Sequence, residues 1–211
     1  MRIVTWNVRG LGSKRKRSMI RNLVVSSGAD IIILQETKMA KIERRLVSSI
    51  WGVRFKEWVS IPAIGRSGGL VVIWNTRSVS VLESLVGLFS VSIKMKGMNG
   101  IDWWLTGVYG SNGYRERVSF WEELASLYGL CGPRLDRFLF STGWEDVFSD
   151  ARQLALTRVT SDHCPVLLDT NIVKWGPAPF RFENMWLEHP SFKENFKIWW
   201  EEEIFQGWEG F

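Results

Sequence analysis

"ADIIILQET", residues 29–37, settles the architecture. Four consecutive apolar residues, Ile31 to Leu34, close on the polar pair Gln35-Glu36. A continuous apolar run of that length is a strand buried on both faces rather than one with a wet side. Its upstream neighbours fix the context. In "KRKRSMIRNLVVSS", Met19, Ile20, Leu23 and Val24 recur at helical spacing and Gly28 is a natural stop, so residues 14–27 read as a helix. Before that, "RIVTWNV" alternates apolar and polar residues as a short strand does, ending in the Gly10–Gly12 turn. Strand, helix and doubly buried strand define a layered α/β protein.

Further along, residues 39–51 suggest a second helix, followed by strands near 54–61, 69–75, 79–86, 88–96 and 102–109 between glycine-containing turns. "RERVSFWEELASLY" is helical, with Val118, Trp121, Leu124 and Leu127 on one face. Strands are expected again at 134–141, 152–158 and 164–170. The character changes near residue 173, where "VKWGPAPFRFENMW" gives way to the amphipathic "SFKENFKIWWEEEIF". The expected organisation is a domain over 1–172 and a connector with an amphipathic helix over 173–211. The thirteen tryptophans are mostly core candidates.

The composition, 45% hydrophobic and 23% charged over 211 residues, is that of a soluble globular protein. No apolar run has the length of a membrane span and the N-terminus lacks a leader-like stretch, so a nuclear or cytoplasmic rather than secreted or membrane protein is expected. Cys131 and Cys164 have no metal-site spacing and read as inert thiols. The formal charge of +5 suits a polyanionic partner. Lys14, Arg15, Lys16 and Arg17 concentrate that charge, either as a solvated helical turn or as phosphate contacts or an import signal.

Three polar clusters fall at strand ends, where open α/β sheets place their sites. Asn7 and Glu36 end neighbouring strands, so an amide oxygen and a carboxylate can meet over one sheet edge as a hard-oxygen site suited to Mg²⁺. In "TSDHCPVLL", Asp162-His163 precede a buried strand, and Asp136 in "RLDRF" offers a carboxylate to hold an imidazole in one tautomer.

"TWNVRGLG", "ILQETK", "GRSGGLVVIW", "GVYGSN", "RLDRFLFS" and "SDHCPVLL", in that order, resemble the endonuclease/exonuclease/phosphatase superfamily of apurinic endonucleases and DNase I-like enzymes. The resemblance covers residues 1 to about 170 and is closest to the endonuclease domain of plant LINE-type retrotransposon polyproteins. The tail from Gly176 resembles the connector that leads there towards reverse transcriptase. It implies two stacked mixed sheets flanked by helices, a four-layer DNase I-like sandwich. It also implies metal-site roles for Asn7 and Glu36, with Mg²⁺ or Mn²⁺ bound, and a phosphate contact from Tyr109. Asp162 and His163 would bind or polarise the scissile phosphate, Asp136 would orient His163, and Arg9 would touch the backbone of double-stranded DNA.

One motif of the family is missing. Its Gly-Asp-apolar-Asn strand belongs between the helix at 115–129 and the strand at 134–141, where this chain reads only "GLCGP". The expectation is therefore a second sheet lacking a segment, an exposed sheet edge through which copies associate, and little turnover. Losing a general base costs ~10²–10⁴ in rate and losing one transition-state donor ~10²–10³. Three readings follow: a DNA-nicking endonuclease, a non-catalytic nucleic-acid-binding relic, and a small phosphodiesterase or phosphatase of the same superfamily.

Overall fold

In a computed structural model of the chain, residues 1–65, 67–97, 102–110, 116–128, 148 and 150–170 are described. The connector at 173–211, the strand expected at 134–141, Asp136 and Cys131 lie outside them. The elements run β1 (Arg2–Asn7), α1 (Lys14–Ser27), β2 (Ile31–Gln35), α2 (Arg44–Ile50), β3 (Lys56–Ile64), β4 (Ser67–Asn75), β5 (Val81–Val86), β6 (Ser90–Met95), β7 (Trp103–Val108), α3 (Glu116–Tyr128), β8 (Arg152–Ala155) and β9 (Val166–Asp169).

Two sheets form among these residues. One is six-stranded in the order β3-β4-β2-β1-β9-β8, and the other is three-stranded in the order β5-β6-β7. β1 and β2 pair in parallel, Ile3 opposite Ile31 through Asn7 opposite Gln35, and every other pairing is antiparallel. This is the two-sheet α/β sandwich expected from the sequence.

The central strand explains why. Ile32 and Leu34 pack with Ile20, Leu23 and Val24 of α1 and Val47 and Ile50 of α2, while Ile31 and Ile33 face Val91, Ile93 and Leu105 of the second sheet. Both faces of β2 are thus in a core, and a fully buried aliphatic side chain stabilises by roughly 1.5–3 kcal/mol. α1 ends as its glycine dictates: Gly28, at φ 61°, donates back to the Val24 and Val25 carbonyls. The two sheets approach closely at Gly107 of β7, where a Cβ would come within 2.7 Å of Ile33 Cγ2.

Two expectations are corrected. The second helix is shorter than 39–51, because the Met39 carbonyl accepts the Ala63 amide at 2.9 Å and ties that stretch to β3 instead. α3 does not use the face expected of it: Val118 and Trp121 are 65% and 51% exposed. It docks through Phe120, whose ring meets Phe89 edge-on, and through Glu123, which accepts from the Leu88 and Phe89 amides and the Ser90 hydroxyl. The tryptophans also divide: Trp6, Trp51 and Trp74 are buried, whereas Trp58, Trp103 and Trp104 are partly exposed.

Candidate active site

The parallel pair β1/β2 carries the site at its C-terminal end. Its backbone ladder continues past the strands, with Val8 N–H donating to Gln35 O (3.0 Å) and Leu11 N–H to Thr37 O (2.9 Å). Continuing it requires unusual backbone. Arg9 (φ 48°), Glu36 (φ 52°) and Lys38 (φ 54°) are the non-glycine residues with positive φ among those described, and all three flank this edge. Left-handed backbone costs a non-glycine residue about 1–3 kcal/mol and collects at functional sites. β4 accommodates the turn with Gly68 and Gly69, whose carbonyls accept the Lys38 and Thr37 amides at 3.0 Å. A Cβ on Gly69 would overlap the buried Thr37 hydroxyl.

These constraints aim three side chains at one point. Glu36 Oε1 accepts from Asn7 Nδ2 and from the Tyr109 hydroxyl, each at 3.2 Å. Tyr109 follows β7, its amide bonded to Phe89 O at 2.9 Å, so the close approach of the sheets brings it to Glu36. Burial, then the Glu36 charge and hydrogen bond, push its phenol up to about 12. Tyr109 is therefore a neutral donor at physiological pH.

A second group arrives from the loop before β9, which lies beside β1. Trp6 Nε1 donates to His163 O (2.9 Å), and the Ser161 hydroxyl accepts the His163 amide (3.2 Å) while donating to Asp162 Oδ1 (3.3 Å). Asp162 then faces a guanidinium and an imidazole. Arg9 NH1 is 2.8 Å from its Oδ2, and His163 Nε2 is 3.8 Å from its Oδ1, a distance too long for a hydrogen bond. All three side chains are about half exposed, open to a ligand.

The basic run divides as well. Lys14 and Arg15 are exposed. Lys16 turns to the site: Nζ donates to Arg9 O at 3.1 Å. Burial, then the charges of Lys38 and Arg9, lower its pKa against the opposing pull of Asp162 and Glu36. Arg17 turns inward, NH1 donating to the Leu11 and Gly12 carbonyls at 2.6 and 2.8 Å.

The structure thus brings together Asn7, Arg9, Lys16, Glu36, Tyr109, Asp162 and His163. Sequence reasoning missed Lys38, Ser161 and the Gly68-Gly69 turn, although each sits inside or beside one of the family motifs. Position two residues past a strand-tip carboxylate was the available signal for Lys38.

As a metal site, the described residues offer one carboxylate and one amide oxygen, and no group of three or more His, Cys, Asp and Glu side chains assembles among them. Asn7 Oδ1 accepts one bond, from the Arg9 amide, and retains a second lone pair. An all-oxygen set of this size fits a hard cation that keeps most of its waters, as Mg²⁺ does. Among the described residues a cavity of about 430 Å³ lies at the far end of the first sheet around Trp58 and Trp74. Another, about 340 Å³, is bounded by Ser13, Arg15, Lys16, Met19 and Thr160 beside the site.

The sequence pattern of the Endonuclease/Exonuclease/phosphatase family matches residues 4–128, more than half of the chain. The chain belongs to that family. No curated protein matches it in sequence. Among solved structures, a humanised D. rerio TDP2 with 14 mutations aligns at a TM-score of 0.53 and 13% identity, covering 80% of this chain and 97% of that one. The endonuclease domain of TRAS1, a telomere-specific non-LTR retrotransposon, aligns at 0.52 and 10% identity, covering 79% and 96%. The AP endonuclease LMAP of Leishmania major aligns at 0.42 and 18% identity, covering 56% of this chain and only 43% of that one. At such identities the first two likenesses establish the fold alone. Family and fold together support a nuclease or phosphodiesterase-type domain, in a family whose members generally depend on divalent metal.

Proposed function

We propose that the chain is a DNA endonuclease domain of retrotransposon descent that retains phosphate- and metal-binding groups while turning over little. The observation carrying this reading is the convergence of Asn7 and Tyr109 on one carboxylate oxygen of Glu36, with the Arg9–Asp162–His163 group beside it. Asn7 and Glu36 would hold Mg²⁺, or Mn²⁺ in its place, which when bound supplies Lewis-acid stabilisation of the charge developing on a phosphoryl oxygen. Tyr109, kept neutral, would donate to Glu36 or to a phosphate oxygen. His163 and Asp162 would face the scissile phosphate, with Arg9 balancing the Asp162 charge. Asp136 would orient His163, the role the family motif gives it.

What this set lacks is a recognisable group to engage the attacking water. The Gly-Asp-apolar-Asn motif is absent from the sequence between Tyr109 and Arg134. The aspartate nearest before that gap, Asp102, instead pairs with Lys94 at 3.7 Å at the opposite end of β7. Binding without efficient turnover is therefore favoured over an active nuclease or a small-molecule phosphatase. Self-association through a sheet edge belongs to the same reading.

The test is nicking of supercoiled plasmid in Mg²⁺. The expected wild-type rate is no greater than that of a Glu36→Ala/His163→Ala double variant. Robust nicking lost in the double variant would establish a working endonuclease and overturn the relic.

A further inference from the structure

The catalytic cluster and the neighbouring 340 Å³ cavity share one residue, Lys16, which lines the cavity and donates to the Arg9 carbonyl. Thr160, which also lines it, lies two residues before Asp162 in the loop that carries Asp162 and His163. Cavity and site are therefore adjoining compartments. A second ammonium, Lys38, belongs to the same edge: its stem lies beside Gly10, the residue after the Arg9 carbonyl that Lys16 bonds. The strained tip of β2 holds its backbone, and that stem is 3.5 Å from where a Cβ on Gly10 would sit. Lys16 and Lys38 are close enough to repel, and neither has an ion-pair partner among the described residues. Two like charges converging beside an open space of this size, which Arg15 also lines, are the complement of an anion with a bulky neighbour.

We propose that Lys16 and Lys38 clamp one phosphate of a nucleic-acid strand, and that the cavity takes the sugar–base unit attached to it, next to the scissile phosphate. The walls suit this. Met19 supplies a polarizable apolar surface that adapts to any base, and Ser13 and Thr160 supply hydroxyls. Ser13 is free for that role because its side chain makes no cap hydrogen bond to α1. The volume is at the lower end for ligand sites, enough for one nucleoside and not for a stacked pair. A base can enter only if it leaves its stack, which duplex DNA resists at a cost of a few kcal/mol. The site consequently prefers a single or locally unstacked strand to intact duplex. This inference rests on the nucleic-acid reading of the site.

The experiment is fluorescence-anisotropy binding in EDTA of a short labelled single strand and of the duplex of the same sequence, so that cleavage plays no part. Wild type should bind the single strand at least about tenfold more tightly. Met19→Trp and Thr160→Trp fill the cavity from α1 and from the loop before β9; each should bring single-strand affinity down to the duplex value and leave duplex affinity within about twofold. Lys16→Ala/Lys38→Ala should flatten the dependence of log K on log salt for the single strand by about 0.7 for each phosphate charge no longer neutralised. Unchanged single-strand affinity in both tryptophan variants, or an unchanged slope in the lysine variant, overturns the subsite while leaving the nucleic-acid reading intact. If both tryptophan variants lose cooperative melting, the slope of the lysine variant, a surface change, decides. Absence of binding to either strand form by wild type overturns both.

Discussion

Glu36 is held in left-handed backbone so that one carboxylate oxygen receives an amide from Asn7 and a phenol from Tyr109. The Tyr109 phenol responds to that arrangement. Burial and the adjacent carboxylate raise its folded pKa to about 12 from 10.0, so the folded state holds this proton more tightly than the unfolded state does. The corresponding stability is fully present below about pH 10 and is lost as the pH rises to about 12. Tyr109→Phe has no such proton. Its urea midpoint, measured in EDTA, should therefore fall less between pH 10 and 12 than that of wild type, and phenolate absorbance should lose its latest-titrating component. A parallel decline in both proteins would mean that the hydroxyl does not face Glu36 in solution. Much of this residue-level site was legible in sequence, because Asn7, Glu36, Asp162 and His163 all stand at strand ends. The Arg9–Asp162 pair was not, since only β9 lying antiparallel beside β1 brings together residues so distant in the chain.

Among the elements, β7 matters most to the site, because Gly107 sets the distance between the sheets and hence the reach of Tyr109. An added methyl would meet Ile33 Cγ2 at 2.7 Å and Val72 Cγ2 at 3.4 Å, both in a packed core. Gly107→Ala should cost about 1–3 kcal/mol by overpacking. It should also draw Tyr109 off Glu36, so that the late phenolate titration moves towards the ordinary range. A loss of stability without that movement would separate sheet spacing from site geometry. The central elements were readable because their pattern is hydrophobic: β2 is apolar over Ile31 to Leu34, and α1 carries its stripe and its glycine stop. α3 was misread for a physical reason. Its attachment is in part polar, one Glu123 carboxylate satisfying the amides that turn between β5 and β6, and apolar periodicity carries no information about such an anchor.

For the molecule as a whole, the net charge of +5 says only that a polyanion is welcome; the fold decides which cations are available to it. Four consecutive basic residues look equivalent in sequence and are not. Lys14 faces solvent, Arg15 is exposed and lines the open cavity, Lys16 faces the site, and Arg17 is occupied by the Leu11 and Gly12 carbonyls that shape the turn between β1 and α1. The same substitution should therefore have opposite signatures along the run. Lys14→Ala/Arg15→Ala should weaken duplex binding and reduce the slope of log K against log salt by up to about 0.9 per residue, with little change in melting temperature. Arg17→Ala should leave that slope near wild type and lower the melting temperature, because two loop carbonyls lose a charged donor worth about 1.5–3 kcal/mol each at most. If Arg17→Ala instead flattens the salt dependence at unchanged stability, its guanidinium is a phosphate contact, and the turn that carries Arg9 into the site holds its shape without it.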